Sequence, residues 1–317
     1  MKVKEHLERS NKTLFSFELL PPLKGDTIES IYHAIDPLVE FNPAFISVTY
    51  HREEVVYKNR PDGLLERSVV RKRPGTVGIS SAIQYKYKMD VVPHIICGGF
   101  NREETENALI DLNFIGINNV FAVRGDNLSF EQYFTPETGG HAHADELVEQ
   151  IIDLNKGIYT DDQLGNSTPT NFSIGVASYP EKHIESSNMQ TELKYLKKKV
   201  DAGADYIITQ MFFDNDKFFR FVDLCREEGI NVPIIPGLKP ISTRRQLTVI
   251  PQTFFVDLPQ NLVLEIEKCK THDEIKQVGI EWTISQAREL LKHGVPDLHF
   301  FTMGKSESIR KIAEAIF

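Results

Sequence analysis

Eight short runs rich in valine, isoleucine and phenylalanine alternate with amphipathic segments along almost all of the 317 residues. The runs are too short for buried helices, and their residue types favour strands. They are Leu14–Leu19, Ala44–Tyr50, Val91–Cys97, Asn119–Arg124, Phe172–Ala177, Tyr206–Gln210, Pro233–Pro236 and Leu298–Thr302. Because strands that alternate with helices form parallel sheets, eight of them predict an α/β fold, a single (β/α)8 TIM barrel.

The segments between the runs have helical periodicity. Leu193, Leu196 and Val200 recur at helical spacing before Gly203, a residue type common at helix C-caps. A doubly wound open sheet is the competing architecture, but no G-x-G-x-x-G follows the first run. Two polar stretches, 52–76 and 157–170, are predicted surface insertions. The sequence shows no internal repeat, no Pro/Gly linker and no second core, so we expect one catalytic domain over residues 1–317.

Composition excludes several classes of protein. A formal net charge of −9 argues against a nucleic-acid binder, which needs a basic surface. No apolar run reaches the roughly 20 residues that cross a bilayer, and the charged N-terminus does not resemble a signal peptide. Cys97, Cys225 and Cys269 are odd in number and widely spaced, which indicates neither a disulfide framework nor a metal site. We expect a cytoplasmic protein.

Glu18 is the most unusual residue in the predicted strands. It ends the first apolar run and is followed by Pro21 and Pro22, which cannot extend a ladder of backbone hydrogen bonds. A charge rarely ends a core strand unless it is paired or used. In a parallel barrel the carboxyl ends of the strands form the active-site mouth. Glu18 is therefore a candidate catalytic group, and a structural carboxylate paired with an arginine is the alternative.

The other strand ends also deliver polar and aromatic side chains to this mouth. In chain order they are Thr49 and Tyr50, His94 with Gly98 and Gly99, Arg124 with Gly125 and Asp126, Tyr179 with Glu181 and His183, Gln210, Lys239, and Thr302. Single residues have structural interpretations too. His94 is more often a core histidine, Arg124 and Asp126 could form only a salt bridge, and Lys199 belongs to a basic run typical of a solvated helix face. The set as a whole indicates a binding site.

Taken together, nine stretches make the chain resemble the methylenetetrahydrofolate reductase family. They are Phe17–Pro22, Ser47–Tyr50, Pro93–His94, Ala122–Asp126, Tyr179–His183, Val200–Ala204, Thr209–Asp214, Ile235–Gly237 and His299–Thr302. They occur in the family's order and span nearly the whole chain. The resemblance implies the same (β/α)8 barrel, in the short bacterial form that has no regulatory domain.

The resemblance implies a flavoenzyme of one-carbon metabolism and methionine supply. FAD is the expected cofactor, NADH or NADPH reduces it, and the flavin then reduces 5,10-methylenetetrahydrofolate to 5-methyltetrahydrofolate in a ping-pong cycle. The expected partners are these small molecules, with no nucleic acid and no membrane, and the chain is expected to form a homo-oligomer.

Residue roles follow from the matching positions. Glu18 matches the general acid, which needs a pKa raised by burial or by a like charge, and Asp126 would supply such a charge. Asp126 matches a catalytic residue close to both flavin and folate. Positions matched to FAD binding are Thr49, Tyr50, His94, Arg124, Gly125, Asp126, His143, Ala177, Tyr179, His183 and Lys199. Positions matched to substrate binding are Glu18, Asp126, Gln210, Gln246 and Lys305.

The chain departs from the family pattern at several positions. Arg52 follows the Thr-Tyr pair where a small residue is usual, and His143 stands where tyrosine is familiar. Glu192 and Tyr195 replace Asp and Asn. Lys305 replaces an arginine that helps to hold the substrate, which keeps the charge but loses the planar fork.

Two other functions fit parts of the pattern. A lyase or aldolase on the same barrel could use Lys239, between Gly237 and Pro240, to form a Schiff base. A non-catalytic folate- or flavin-binding relative would need disabled chemistry, yet Glu18, Asp126 and Gln210 are all present.

Overall fold

The computed structural model describes residues 1–127, 131 and 133–317. The strands are β1 (Leu14–Leu19), β2 (Phe45–Val48), β3 (Glu54–Asn59), β4 (Leu65–Val70), β5 (Val91–Ile96), β6 (Asn119–Val123), β7 (Ser173–Ser178), β8 (Tyr206–Met211), β9 (Ile234–Leu238) and β10 (Asp297–Phe301). The helices are α1 (Val3–Arg9), α2 (Glu29–Ile35), a 3₁₀ helix (Asp36–Phe41), α3 (Thr76–Tyr87), α4 (Arg102–Phe114), α5 (Ala144–Asn155), α6 (Met189–Asp201), α7 (Asn215–Glu227), α8 (Gln246–Phe254), α9 (Gln260–Lys268), α10 (His272–Lys292) and α11 (Glu307–Ile316).

Eight of these strands close into a parallel barrel in the order β1-β10-β9-β8-β7-β6-β5-β2, and β2 pairs with β1 to complete it. This confirms the predicted (β/α)8 TIM barrel and excludes the open sheet. All eight predicted strands are present; the first has the predicted bounds, and the other seven differ at one or both ends. The second ends at Val48, so Thr49 and Tyr50 lie in the following loop, and the seventh continues to Leu238.

Each barrel strand buries one row of side chains against the helices and turns the next row into the barrel. On β1, Phe15, Phe17 and Leu19 belong to the core between barrel and helices. Residues of the opposite parity, Ser16 and Glu18, therefore face the interior. The interior is tight, because a Cβ placed on Gly175 would lie 2.5 Å from the ring of Tyr206. The barrel centre is thus a packed core, and its upper layer forms the floor of the mouth.

Strands β3 and β4 form a separate antiparallel hairpin between β2 and α3. The sequence assignment of 52–76 as an insertion did not predict its strands. The hairpin base is tied to the loop after β1, where the Lys24 backbone N–H donates to the Lys72 carbonyl at 2.7 Å. Within the part of the chain that the structure describes, no helix is long and apolar enough to cross a membrane.

Candidate active site

Glu18 is the penultimate residue of β1, and its side chain is 16% exposed. Its Oε2 atom is 3.4 Å from Nε2 of His94, which β5 presents from the neighbouring part of the barrel floor. Burial raises the pKa of Glu18 to about 8 and lowers that of His94 to about 3. At neutral pH the carboxyl group is therefore protonated and the imidazole is neutral, so this contact is not an ion pair.

The cause of the raised pKa of Glu18 corrects one expectation. Asp126 was expected to supply a like charge, but burial alone raises the pKa of Glu18. Asp126 follows β6 and has an exposed side chain at the rim of the mouth. It stays available to a ligand, while the acid function of Glu18 depends on the apolar barrel around it.

The backbone at Glu18 is fixed by the neighbouring strand. The carbonyl of Glu18 accepts hydrogen bonds from Thr302 Oγ1 at 2.7 Å and from the Thr302 N–H at 3.3 Å. On the other side, the N–H of Thr49 donates to the Leu19 carbonyl at 3.1 Å. These bonds hold the end of β1 between β10 and β2, so that the carboxyl group has a defined position.

Beneath Glu18, a buried polar group fills the barrel interior. Ser16 Oγ donates to Asp297 Oδ2 at 2.5 Å and lies 2.7 Å from His299 Nδ1, and all three residues have no solvent exposure. Burial raises the pKa of Asp297 to about 7 and lowers that of His299 to about 3. Sequence reasoning did not single out this group. Its signal was the period-two spacing of Ser16 with Glu18 and of Asp297 with His299.

A cluster of cations lines the mouth beside β6 and β7. Arg124 forms a bidentate pair with Glu185, with distances of 2.5 and 2.8 Å, and its guanidinium lies 5.0 Å from the ring centre of Phe134. Lys199 donates to the Ala177 carbonyl at 2.5 Å, and burial lowers its pKa. Arg124 and Lys199 both act electrostatically on His183, so the two cations lie on the same side of the mouth.

Tyr179 and His183 extend this side of the mouth. Their rings meet edge to face with centroids 4.7 Å apart, and burial raises the pKa of Tyr179 while it lowers that of His183. The loop that carries His183 is held by Glu192, whose Oε2 accepts from the His183 N–H at 3.0 Å and from Ser186 Oγ at 2.6 Å. Glu192 is therefore occupied with the loop, whereas Tyr195 is exposed.

Arg52 bridges two parts of the opposite rim. It donates to Glu131 Oε2 at 3.1 Å and lies 3.5 Å from Glu137 Oε1. Its side chain also covers Gly98 and Gly99, where a Cβ would meet Arg52 atoms at 3.3 and 3.4 Å. Arg52 therefore ties the loop after β6 to the loops after β2 and β5.

Of the remaining matched residues, Gln210 is half-buried and its Oε1 accepts from the Met211 N–H at 2.9 Å. Gln246 begins α8, and its Oε1 accepts from the N–H groups of Ser242 and Thr243 at 2.6 and 3.0 Å. That oxygen stabilises the start of the helix, which leaves the amide NH₂ for a ligand. Lys305 and His143 are exposed on the loops after β10 and before α5.

Lys239 directly follows β9 and is 9% exposed. Burial lowers its pKa to about 8. Among the residues that the structure describes, no group forms a hydrogen bond or ion pair with it. It is a buried amine without a counter-ion at the active-site mouth.

Comparison with known proteins identifies the family. The family model described as methylenetetrahydrofolate reductase matches residues 2–316. The chain belongs to this family. Among its relatives, methylenetetrahydrofolate reductase (NADH) 1 of Arabidopsis thaliana is 34% identical, over 97% of this chain and 48% of the plant protein. The 5,10-methylenetetrahydrofolate reductases of Pectobacterium carotovorum and Salmonella typhimurium are 31% and 30% identical, over 92% of this chain and 86% of each relative.

The chain spans about half the length of the eukaryotic reductases that it matches. Its fold is also shared with a solved structure described as an uncharacterized protein from Clostridium thermocellum that binds two copies of 5-methyl-5,6,7,8-tetrahydrofolic acid. The TM-score is 0.58 at 14% identity, over 99% of this chain and 98% of that one. At this identity the likeness supports the barrel fold only.

Two buried polar atoms at the mouth fit the binding of a polar cofactor by this family member. Thr49 Oγ1 and His94 Nε2 are sealed from water and, within the described residues, make no hydrogen bond. Buried polar atoms are nearly always paired in native proteins, so such atoms at a strand-end mouth indicate ligand contacts. Together with the Arg124 and Lys199 cations they suit a polar, phosphate-bearing group.

Proposed function

We propose that this chain catalyses the flavin-dependent reduction of 5,10-methylenetetrahydrofolate to 5-methyltetrahydrofolate, with NADH or NADPH as the electron donor in a ping-pong cycle. Membership of the reductase family supports the reaction class. The observation that carries the proposal is Glu18, a carboxylic acid that burial keeps protonated at neutral pH at the end of β1. A proton donor of this kind is what opening of the substrate ring requires.

Glu18 acts on the substrate in the second half of the cycle. The methylene carbon of the substrate bridges two nitrogens, and proton transfer from Glu18 to one of them breaks its bond to that carbon. The product of this step is an electrophilic iminium carbon and a Glu18 carboxylate. The exposed carboxylate of Asp126 favours the cationic iminium electrostatically. Hydride addition to this carbon then completes the methyl group.

FAD, when bound, would supply the hydride chemistry. The Arg124 and Lys199 cations would bind its diphosphate, with the imidazole of His183, whose pKa burial lowers, and with Tyr179 and Thr49 as further contacts. Gly125 has φ +87°, a left-handed conformation that suits glycine and lets the backbone after β6 approach a ligand closely. The exposed His143 would contact the outer part of the cofactor.

Gln210, Gln246 and Lys305 would bind the folate. The half-buried amide of Gln210 can donate to the pterin, and the NH₂ group of Gln246 can donate to the aminobenzoyl part. Relatives are named for NADH in Arabidopsis and for NADPH in Caenorhabditis elegans, and the proposal covers both donors.

A Schiff-base lyase remains a second candidate, since the buried amine of Lys239 has a pKa lowered to about 8 and would be partly neutral. It would be supported by borohydride trapping of a carbonyl substrate that Lys239→Ala abolishes. Family membership favours the reductase.

The test of the reductase uses flavin absorbance. Protein purified with FAD should be yellow, should bleach with NADH or NADPH under anaerobic conditions, and should regain its absorbance on addition of 5,10-methylenetetrahydrofolate. A protein that binds no FAD, or a reduced flavin that the folate cannot reoxidise, would contradict the proposal.

A further inference from the structure

Lys239 and Glu18 lie in the same row of the barrel. Strand pairing places Glu18 opposite Phe301, and Phe300 opposite Leu238, so the next residue, Lys239, continues the row beyond Phe301. Two strand spacings separate Lys239 from Glu18, which is about 10 Å between their backbones. The two residues therefore flank Phe301 at the floor of the mouth.

The side chain of Lys239 belongs to the interior face of the barrel. Leu238 packs in the core between barrel and helices, so residues of the opposite parity, Gly237 and Lys239, turn towards the interior. Gly237 confirms this parity, because a Cβ placed there would lie 2.6 Å from the ring of Phe301. Lys239 is thus directed to the mouth at the level of the proposed acid.

A lysine that is nine-tenths buried normally has a counter-ion. Within the described residues Lys239 has none. Two other polar residues lie at the mouth near it, Glu18 in the same row and Gln210 on the neighbouring strand β8. Glu18 is uncharged at neutral pH and does not compensate the cation. The site is therefore complete only when a ligand brings an anion.

We propose that Lys239 binds the α-carboxylate of the glutamyl tail of the folate substrate. The proposal rests on the proposed function and takes the nitrogen bonded to the aminobenzoyl ring as the one that receives the Glu18 proton. From that nitrogen, the rigid ring and its amide reach a distance comparable to the separation of Glu18 from Lys239. The two carboxylates of the tail are also the anionic groups of an otherwise uncharged substrate, and the α-carboxylate is the one nearer to the ring.

This contact sets the direction of the substrate across the mouth. The glutamyl tail lies over the ends of β9 and β10, and the pterin points towards Gln210 and Asp126 on β8 and β6. Lys239 is then a specificity residue that distinguishes folates with a glutamyl tail from pteroates without one. It takes no part in proton or hydride transfer.

The test compares wild type with Lys239→Met, which removes the charge and keeps an unbranched side chain that is one atom shorter. Lys156→Met is the matched control, since Lys156 is an exposed lysine just beyond α5 and is paired with Asp153. Equilibrium dialysis of the FAD-loaded proteins is done with 5-methyltetrahydrofolate and with 5-methyltetrahydropteroate, which lacks the glutamate. Thermal unfolding checks that each variant folds, and Lys239→Gln replaces the Met variant if that one does not.

We expect Lys239→Met to weaken binding of 5-methyltetrahydrofolate about 10- to 100-fold, as for loss of a charge-assisted hydrogen bond, and to leave binding of the pteroate unchanged. Wild type and Lys156→Met should both prefer the folate. Equal weakening for both ligands, or no weakening for either, would overturn the proposal. Failure of the proposed function is a separate result, in which wild-type protein binds the folate but its reduced flavin is not reoxidised by the methylene substrate.

Discussion

The Nε2 atom of His94 lies 3.4 Å from Oε2 of Glu18, and burial shifts the pKa values of the two groups in opposite directions. The result is a neutral pair at the end of β1 that holds its proton on the carboxyl group. Burial in the barrel thus keeps Glu18 protonated without a neighbouring charge. The pH dependence of the reaction rate and of the stability should reflect this raised pKa.

The first prediction concerns the rate of flavin reoxidation by 5,10-methylenetetrahydrofolate. This rate should fall as the pH rises through about 8, because Glu18 must be protonated to donate. Stopped-flow absorbance of the reduced protein at a series of pH values measures it. A rate that rises across this range would show that the base form of Glu18 is the active one.

The second prediction concerns stability. The folded-state pKa of Glu18 is about 8 and its ordinary value is 4.5, so ionisation favours the unfolded chain and wild-type stability falls as the pH rises between these values. Glu18→Gln does not titrate and avoids this loss. Its free energy of unfolding relative to wild type should therefore increase from about pH 5 to pH 8, by about 1.4 kcal/mol per unit of pKa shift.

Denaturant unfolding at several pH values measures that difference. Glu227→Gln, at the exposed end of α7, is the matched control and should give a difference that does not depend on pH. A pH-independent difference for Glu18→Gln as well would mean that the folded protein ionises Glu18 normally.

The third prediction concerns FAD affinity. Arg124→Met removes a guanidinium from the cation cluster beside β6, so FAD should bind at least about 10-fold more weakly, the loss expected for a charge-assisted contact with a phosphate. Quenching of flavin fluorescence on titration of apoprotein measures the Kd. Arg220→Met, on the exposed face of α7, should leave the Kd unchanged. Equal affinities in both variants would remove Arg124 from the cofactor site.

The fourth prediction contrasts two helical glycines. A Cβ on Gly279 of α10 would lie 1.8 Å from the Ile241 carbonyl oxygen, so Gly279→Ala must displace the loop after β9 and should destabilise the protein by several kcal/mol. Gly78 of α3 has nothing within 4 Å of such a Cβ, and Gly78→Ala should stabilise by about 0.5–1 kcal/mol. Thermal unfolding of the two variants gives the comparison, and equal stabilities would contradict the packing of α10.

The sequence was sufficient to predict the barrel because its strands are distinct apolar runs, and the residues at and just after the end of each run located the mouth. Glu18 was identifiable because a carboxylate before two prolines is unusual. The cause of its raised pKa was not identifiable from the sequence, since burial depends on side chains from every strand of the barrel. Asp126, which the sequence suggested as a neighbouring charge, is exposed and does not cause the raised pKa of Glu18.

Long-range pairing explains the other differences. The pairing of Arg124 with Glu185 and the contact of Ser16 with Asp297 join residues far apart in the chain, and no local pattern indicates them. The hairpin of β3 and β4 was not predicted, because the charged residues in its strands are more typical of a loop. The bonds from the Ser242 and Thr243 N–H groups to the Gln246 oxygen also depend on how the loop before α8 folds back on the helix.

The half-reactions of Glu18→Gln test the central claim most directly. Stopped-flow absorbance follows flavin reduction by NADH or NADPH, and then reoxidation of the reduced flavin by 5,10-methylenetetrahydrofolate. We predict that the first rate stays within a few-fold of wild type and that the second falls by about 10²- to 10⁴-fold, the usual loss of a general acid. Reoxidation by the folate at the wild-type rate would contradict the assignment of Glu18 as the proton donor.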